Sequence, residues 1–395
     1  MQPDGKYAYV HLCGVPYLLP YGQSVADHCR GVKLGVEGAE AWELLERSQD
    51  LKEFLSSASQ GHADERERLE AERDHLSFIN SLQAMGVLAQ REPRAEFVPA
   101  RAMKVAGLRI GFAGRVNLLS EAFDSFATEV AGEGSDVEGL DQTVLILRSA
   151  LPRVEGARVV LQTPEVVVLD HQTRWVLLFH THPALLGCTV TKDGAEARFY
   201  VDNCAEDEMD ALREELFHAI RFAFLVLAQQ RDRYVLHSCS VHYRDYALLF
   251  SGSSGTGKST HAALWADQFG VAHLNGDLNL LYIEDGEARV AGLPWCGTSG
   301  ISQRFDLPCA GVVLLRQAPR NQVQPLAQDE QQLFLMNRLI SPTWNEELQL
   351  RTLDFAGSYA PATHVCRYLA TRDATSAHVL RAEVDRWLDA DEGKH

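Results

Sequence analysis

The sequence predicts an α/β protein, α+β over its whole length, and three observations carry that prediction. Three short extended runs followed by three helical periods occupy residues 7–87, and strand-type runs separated by turn formers fill 101–205. A strand, a glycine-rich loop and a helix then succeed one another between Tyr246 and Phe269. With 395 residues, 46% of them hydrophobic, the chain is long enough for two or three domains and a sizeable core.

Taken in order, YAYVHLCGVPYLL from Tyr7 reads as two aromatic and β-branched runs broken by Gly14 and Pro16, the pattern of a small hairpin. A third extended stretch spans Gly31 to Leu34. The period then changes: GAEAWELLER from Gly38 puts Ala41, Trp42, Leu44 and Leu45 on one helical face, and DLKEFLSSAS from Asp50 gives a second short helix. A longer third helix, from about Glu65 to Met85, carries the stripe Leu69, Leu76, Ile79, Leu82 and Met85. REPRAEFVP, with two prolines, marks a junction. After it come KVAGLRIGFAG, ARVVLQT, EVVVLDH, RWVLLFHTH and ARFYVDN, with an acidic segment, Ala131 to Gln142, expected as a solvated loop. A helix from Glu206, acidic at its positive end, leads to the glycine-rich loop. The expected boundaries are 1–92, 93–205 and 206–395.

A net charge of −17 repels nucleic-acid phosphates and anionic membrane surfaces, which argues against both as main partners. No apolar run approaches the roughly 20 residues that span a bilayer, and the N-terminus lacks a basic start followed by an apolar stretch, so a cytoplasmic location is expected. None of the eight cysteines forms a C-x-x-C pair, which points away from a zinc site or disulfide framework. His180 and His182 have no third ligand nearby and read as a strand end.

GSSGTGKS, from Gly252, matches G-x-x-x-x-G-K-[ST] at every fixed position, between the apolar run YALLF and the helical THAALWADQF. Strand, loop and helix in that order let backbone N–H groups and a helix N-terminus converge on phosphate oxygens. The nucleotide-binding residues expected are Gly252, Ser253, Ser254, Gly255, Thr256, Gly257, Lys258, Ser259 and Thr260. Lys258 would reach the β- and γ-phosphates of ATP, and Ser259 would join a Mg²⁺ shell completed by phosphate oxygens and water. Phosphoryl transfer also needs a carboxylate, and Asp277, nineteen residues after Lys258, would stand at the end of a second core strand. It would hold the metal or accept the acceptor group's proton. Asn275-Gly276-Asp277 also has the composition of a plain turn, and both readings stay open. His237, fifteen residues before Gly252, lies on the strand expected to pair with YALLF.

A strand histidine, a phosphate loop and an acidic segment in this order resemble HPr kinase/phosphorylase and its relatives, which share a core with ATP-dependent phosphoenolpyruvate carboxykinase. LHSCSVHYRDYALLFSGSSGTGKSTHAALW is similar to the central block of those relatives, and GLPWCGTSGI and RLISPTW to their later landmarks, over roughly residues 210 to 375. The resemblance implies a mixed-sheet phosphate-loop core with His237, Lys258, Ser259 and Asp277 acting together. Trp295, Cys296 and Thr298, in PWCGTSG, could line an acceptor pocket, with Arg304 near the phosphates, and a purely structural role for them stays equally open. The chain departs from the family in Lys-Ser-Thr for Lys-Ser-Glu and in Gly276-Asp277 for two adjacent aspartates. The first ninety or so residues resemble the PqqD-like, winged-helix-type fold through VKLGVEGAEAWELL and FINSLQAMGVL. That likeness implies a precursor (leader) peptide added as a strand at Val32, Lys33 and Leu34, beside the third helix. The implied function is a Mg²⁺-ATP-dependent peptide kinase. The alternatives are a nucleotide-dependent peptide chaperone serving a modifying enzyme, and a small-molecule kinase.

Overall fold

The computed structural model describes residues 7–21, 30–48, 51–58, 60, 64–85, 87–88, 97–129, 139–152 and 156–392. They form a mixed α/β protein of two units. The first unit takes the described residues before Val98 together with Leu145–Thr189 and Arg198–Leu216. The second takes Val98–Val144, Val190–Ala197 and the chain from Phe217. The units thus interleave along the chain, whereas the sequence reading set boundaries at 92 and 205.

In the first unit, β1 (Tyr7–Leu12) and β2 (Val15–Pro20) pair antiparallel around Cys13 and Gly14. Both turn residues have positive φ, 53° and 80°, as a two-residue hairpin turn with the right twist requires. β3 (Val32–Lys33) pairs with β2, so the order is β1-β2-β3 and β3 lies at an edge. Helices α1 (Val36–Arg47), α2 (Leu51–Ala58) and α3 (Glu65–Ala84) follow. The Asp64 side chain caps α3 by accepting the Arg66 amide at 3.1 Å. Trp42, Leu45, Phe54, Leu76, Ile79 and Leu82, spaced at the helical period, close over Leu18 and Leu34 as one core. Met85, expected in that stripe, is the residue where α3 stops and is 45% exposed.

The strand-rich middle comprises β4 (Arg101–Val105), β5 (Leu108–Gly114), β6 (Ala127–Thr128), β7 (Gln142–Arg148), β8 (Arg158–Gln162), β9 (Val166–His171), β10 (Arg174–Phe179), β11 (Leu185–Thr191) and β12 (Glu196–Val201). β8, β9 and β10 pair antiparallel within the first unit, and β6, β4 and β5 within the second. The junction lies outside the described residues up to 96, and the acidic segment lies outside them up to 138. Gln142, at the segment's end, is not in a solvated loop. It is fully buried, with its amide donating to the carbonyls of Gly194 at 2.7 Å and Ala223 at 2.9 Å. His182 is likewise a local cap, its Nδ1 accepting the Ala184 amide.

The second unit's core begins with α4 (Met209–Gln230), whose residues from Phe217 belong to it, then β13 (Tyr234–Tyr243), β14 (Tyr246–Ser251) and α5 (Lys258–Phe269). It continues through β15 (His273–Asn275), β16 (Leu278–Glu284), β17 (Glu287–Gly292), β18 (Asp306–Gln317) and β19 (Gln322–Pro325). It ends with α6 (Gln328–Met336), α7 (Glu346–Tyr359), β20 (Val365–Ala370) and α8 (Ala374–Glu392). The sheet order is β14-β13-β16-β17-β18-β20-β19, and β14 also pairs with β18, in parallel, closing a circuit. Such strands are buried on both faces, which explains the unbroken apolar run YALLF. Leu249 and Val312 face one core with Phe355 and Tyr359, while Leu248, Phe250 and Val313 face another with Trp265 and Leu380.

β13 is paired on both edges. On one, Tyr234 to His237 pair with β16, and Ser240 continues that register opposite Asn275 of β15. On the other, residues 338–340 bond to Val235 and His237, and β14 takes over from Ser238 to Tyr243.

Trp42 is 1% exposed at the centre of the three-helix core. Trp42→Ala should destabilise the first unit by about 3–5 kcal/mol, seen as a lowered urea midpoint for that unit, with Trp42→Phe close to wild type.

Candidate phosphate-binding and phosphoryl-transfer site

The phosphate loop fills the turn between Ser251, the last residue of β14, and Lys258, the first of α5. Gly252 has φ 155°, and a Cβ there would lie 2.7 Å from Thr256 Oγ1 and 3.0 Å from the Leu315 carbonyl. Gly257, the N-cap of α5, has φ 100°, a conformation that L side chains rarely adopt. The loop is braced by Thr256, which donates its hydroxyl to Ser253 O at 2.8 Å, and by Gln317 Nε2, which donates to Gly255 O at 2.8 Å. The His261 amide donates to Gly257 O at 2.8 Å. The amides of Lys258, Ser259 and Thr260 therefore precede the first internal bond of α5 and point out of its positive end. Lys258 Nζ folds back to within 3.4 Å of Gly252 O, over the cradle that these amides line.

β13 brings the other groups to this loop, because β14 lies on one of its edges and the turn between β15 and β16 on the other. His237 is the last residue paired with β16, opposite Leu278, and Ser238 is the first paired with β14, opposite Ser251. Asp277, immediately before β16, comes to 3.0 Å between its Oδ1 and His237 Nε2. Both side chains are about a third exposed, 37% for His237 and 34% for Asp277, so the pair is accessible from solvent. Asp277 does not end a strand. It sits in the turn between β15 and β16, and that turn is what directs it at His237. Cys239 joins the two halves, its Sγ donating to Gly276 O at 2.8 Å and lying 3.5 Å from Ser259 Oγ.

The hydrogen bond from His237 is the main reason the Asp277 carboxyl is held below its ordinary range. Burial opposes the shift, and the charges of His237, Lys258 and Arg221 add to it. Burial pushes the Cys239 thiol up, so it stays protonated at neutral pH. Burial likewise lowers His261, whose Nε2 is 2.9 Å from Ser376 Oγ, keeping a neutral imidazole behind the loop helix. Gly276, where the resembling family has a second aspartate, has no room for a side chain: a Cβ would fall 1.9 Å from Ser299 Oγ.

Two cations were missed in the sequence. Arg338 donates to Ser253 Oγ at 3.0 Å, and its carbonyl accepts the His237 amide at 3.1 Å. Arg221, on α4, is half-buried and acts electrostatically on Asp277. Neither carries a periodicity or motif signal, and Arg338 is 85 residues from Ser253.

The remaining expected residues are dispersed. Trp295 is 1% exposed, donates its indole N–H to Phe217 O at 2.8 Å and packs on Phe123, Phe217 and Phe224. It is a core anchor rather than the wall of an open pocket. It holds the turn containing Cys296, half-buried, and Gly297, where a Cβ would lie 2.8 Å from Asp277 Oδ2. Thr298 follows in that turn, but its side chain is outside the described residues. Arg304 lines a separate cleft of about 540 Å³ with Lys104, Arg233, Tyr282, Glu284 and Asp306. Tyr282 and Glu284 lie five and seven residues beyond Asp277, roughly 16–24 Å along the strand, so this cleft is not at the loop. Val32, Lys33 and Leu34 belong to the first unit.

Among the described residues no three His, Cys, Asp or Glu side chains cluster as a metal site. A cation held by Ser259 and Asp277 would therefore need phosphate oxygens and water to fill its shell. The fit is to a metal that arrives with a polyphosphate.

No protein-family model matches the chain, and none of the curated proteins matches it. Among solved structures, the HPr(Ser) kinase/phosphatase from Coxiella burnetii aligns at 10% identity and a TM-score of 0.23, over 40% of this chain and 98% of that one. No helix among the described residues is long and apolar enough to cross a membrane.

Because the Asp277 carboxyl is depressed in the folded state, the unfolded chain binds the proton more readily. The contribution to stability is complete above the ordinary carboxylate range, near pH 4, and is lost as pH falls through the folded value. Urea midpoints measured from pH 6 downward should fall more steeply for wild type than for Asp277→Asn.

Proposed function

We propose that this chain is a Mg²⁺-ATP-dependent kinase that phosphorylates a side chain, serine or threonine, of a ribosomally made precursor peptide held by the N-terminal three-strand, three-helix element. The observation that carries the reading is the meeting, across β13, of the glycine cradle at Gly252–Gly257 with the His237–Asp277 pair. A nest of backbone amides beside one ammonium suits a polyphosphate. A coupled imidazole and carboxylate beside it suits a proton leaving an acceptor hydroxyl.

In the proposed reaction the acceptor oxygen bonds to the terminal phosphorus, the bond from that phosphorus to the β-phosphate oxygen breaks, and the acceptor's proton passes to the His237–Asp277 pair. Lys258 and the first amides of α5 stabilise charge on the transferring group. Arg338, anchored on Ser253, adds a cation on the other side of the loop. Asp277, anionic at neutral pH, orients His237 and stabilises the imidazolium that forms. Ser259 and Asp277 would hold Mg²⁺ together with the nucleotide's phosphate oxygens, and the ion would supply neutralisation of phosphate charge.

Peptide capture is supported by the place of β3 at the edge of its sheet among the described residues. The Leu34 amide donates to Pro16 O at 3.0 Å, toward β2, so by alternation the Lys33 amide points away from the sheet, where an added strand would bond. A cytoplasmic enzyme working alongside a further peptide-modifying enzyme fits this reading. The glycine at 276, leaving one carboxylate, favours a second reading, a nucleotide-dependent peptide chaperone without chemistry of its own.

Incubation of a candidate precursor peptide with Mg²⁺-ATP should add about 80 Da, the mass of one HPO₃, by mass spectrometry. An unmodified peptide that still binds would favour the chaperone. Lys258→Ala should lower turnover by at least about 10²-fold. Lys33→Pro removes the outward amide at an edge position that tolerates proline. It should raise the apparent KM for the peptide while leaving nucleotide affinity and the far-UV CD spectrum unchanged; an unchanged KM would reject capture at this edge.

A further inference from the structure

We infer that Asn275 is a positioning residue for Asp277, an assignment that rests on the kinase reading: a buried amide, tied through a polar network to β13, sets the direction in which the carboxylate meets His237. Asn275 is fully buried. Its Oδ1 accepts both the Asp277 amide at 3.1 Å and the Leu278 amide at 3.2 Å, and its Nδ2 donates to Leu293 O at 3.0 Å. The first of these bonds makes the side chain close its own turn, which fixes the backbone of Asp277 from one side. From the other side, the Ser238 amide donates to Asp277 O at 2.9 Å.

The amide is itself held. The Asn275 N–H donates to Ser240 Oγ at 3.1 Å, and that hydroxyl donates to Asn279 Oδ1 at 2.7 Å. Asn279 Nδ2 in turn donates to Ser238 O at 2.6 Å and to Ser238 Oγ at 3.0 Å. Ser238, Ser240, Asn275 and Asn279 are all fully buried, where an unpartnered polar group is costly. Each has partners, so the network specifies one geometry rather than several. It begins at the turn carrying Asp277 and ends at Ser238, the residue after His237. The two members of the pair are therefore referenced to a single frame. Gly276 completes it, since its missing side chain admits Ser299 Oγ, which donates to Cys296 O at 2.7 Å.

The test uses the full chain with Asn275→Ala and Ser240→Ala. The His237–Asp277 hydrogen bond is read at fixed neutral pH from the imidazole nitrogen-15 shifts of His237, assigned with Asp277→Asn, Mg²⁺-ATP affinity is measured by calorimetry, and kcat and KM are measured with peptide. Asn275→Ala should move the His237 Nε2 shift toward that of Asp277→Asn. It should lower kcat by about 10- to 100-fold, the scale of a misplacement near 1 Å, with nucleotide affinity within about 3-fold of wild type. Ser240→Ala, which loosens Asn275 from below, should move the shift the same way by less, and it decides the matter if Asn275→Ala fails to fold. A His237 shift that stays at the wild-type value in the folded variants overturns the assignment, whatever happens to thermal stability. Absence of phosphoryl transfer by wild type would count against the kinase, while the imidazole shift, which needs no turnover, would still judge Asn275.

Discussion

The site depends on the backbone hydrogen bonding of β13 along both of its edges. One edge carries β16 and then β15, whose Asn275 keeps the register of β16, with the Asp277 turn between them and the Ser238 amide bonded to Asp277 O. The other edge passes from residues 338–340, where the His237 amide bonds to Arg338 O, to β14, whose pairing ends at Ser238 opposite Ser251. Pairing is obligatory for buried amides and carbonyls, so an edge can change neighbours only where one ends and another begins. The histidine, the loop and the carboxylate meet because β14 runs out into the phosphate loop on one edge at the level where the Asp277 turn interrupts the other.

The apolar packing makes the arrangement rigid. β14 and β18 are parallel and covered on both faces, one by Phe355 and Tyr359, the other by Trp265 and Leu380. The loop helix α5 is pinned through Trp265 and through the His261 contact to Ser376. Gly252 and Gly257 confine unusual backbone to the cradle, while polar groups beneath Asp277 are satisfied within the core. A positively lined crevice in a chain of net charge −17 means that attraction for phosphate is local, supplied by Lys258, Arg338, Arg221 and helix amides rather than by the molecule's overall field.

Much of this was legible in the sequence, and the limits have physical causes. The glycine loop was readable because strand, loop and helix are contiguous. The pattern of three strands and three helices was readable because Trp42, Leu45, Leu76 and Ile79 keep the helical period. His237 was placed on the strand that pairs with YALLF, which is correct for the strand, yet His237 itself lies on the half that pairs with β16. For Asp277 the sequence leaves a strand end and an Asn-Gly-Asp turn both open; the hydrogen bonds of Asn275 make it a turn residue, and that turn is what brings it to His237. Gly276 reads in sequence as a lost carboxylate, and in space it is the room taken by Ser299. Trp295, among Gly, Pro and Cys, reads as a candidate wall of an acceptor pocket, and only the aromatic cluster of Phe123, Phe217 and Phe224 reveals it as core. Arg338 reaches the loop across a long sequence separation that no local pattern encodes.

The account is tested most directly by calorimetric titration of the full chain with ATP in the presence of Mg²⁺. Saturable binding of one nucleotide per chain, abolished by Gly252→Val because a side chain there would strike Thr256 and the Leu315 carbonyl, is the predicted result. Heats no different from dilution for the wild-type chain, or equal binding by the Gly252 variant, would contradict it.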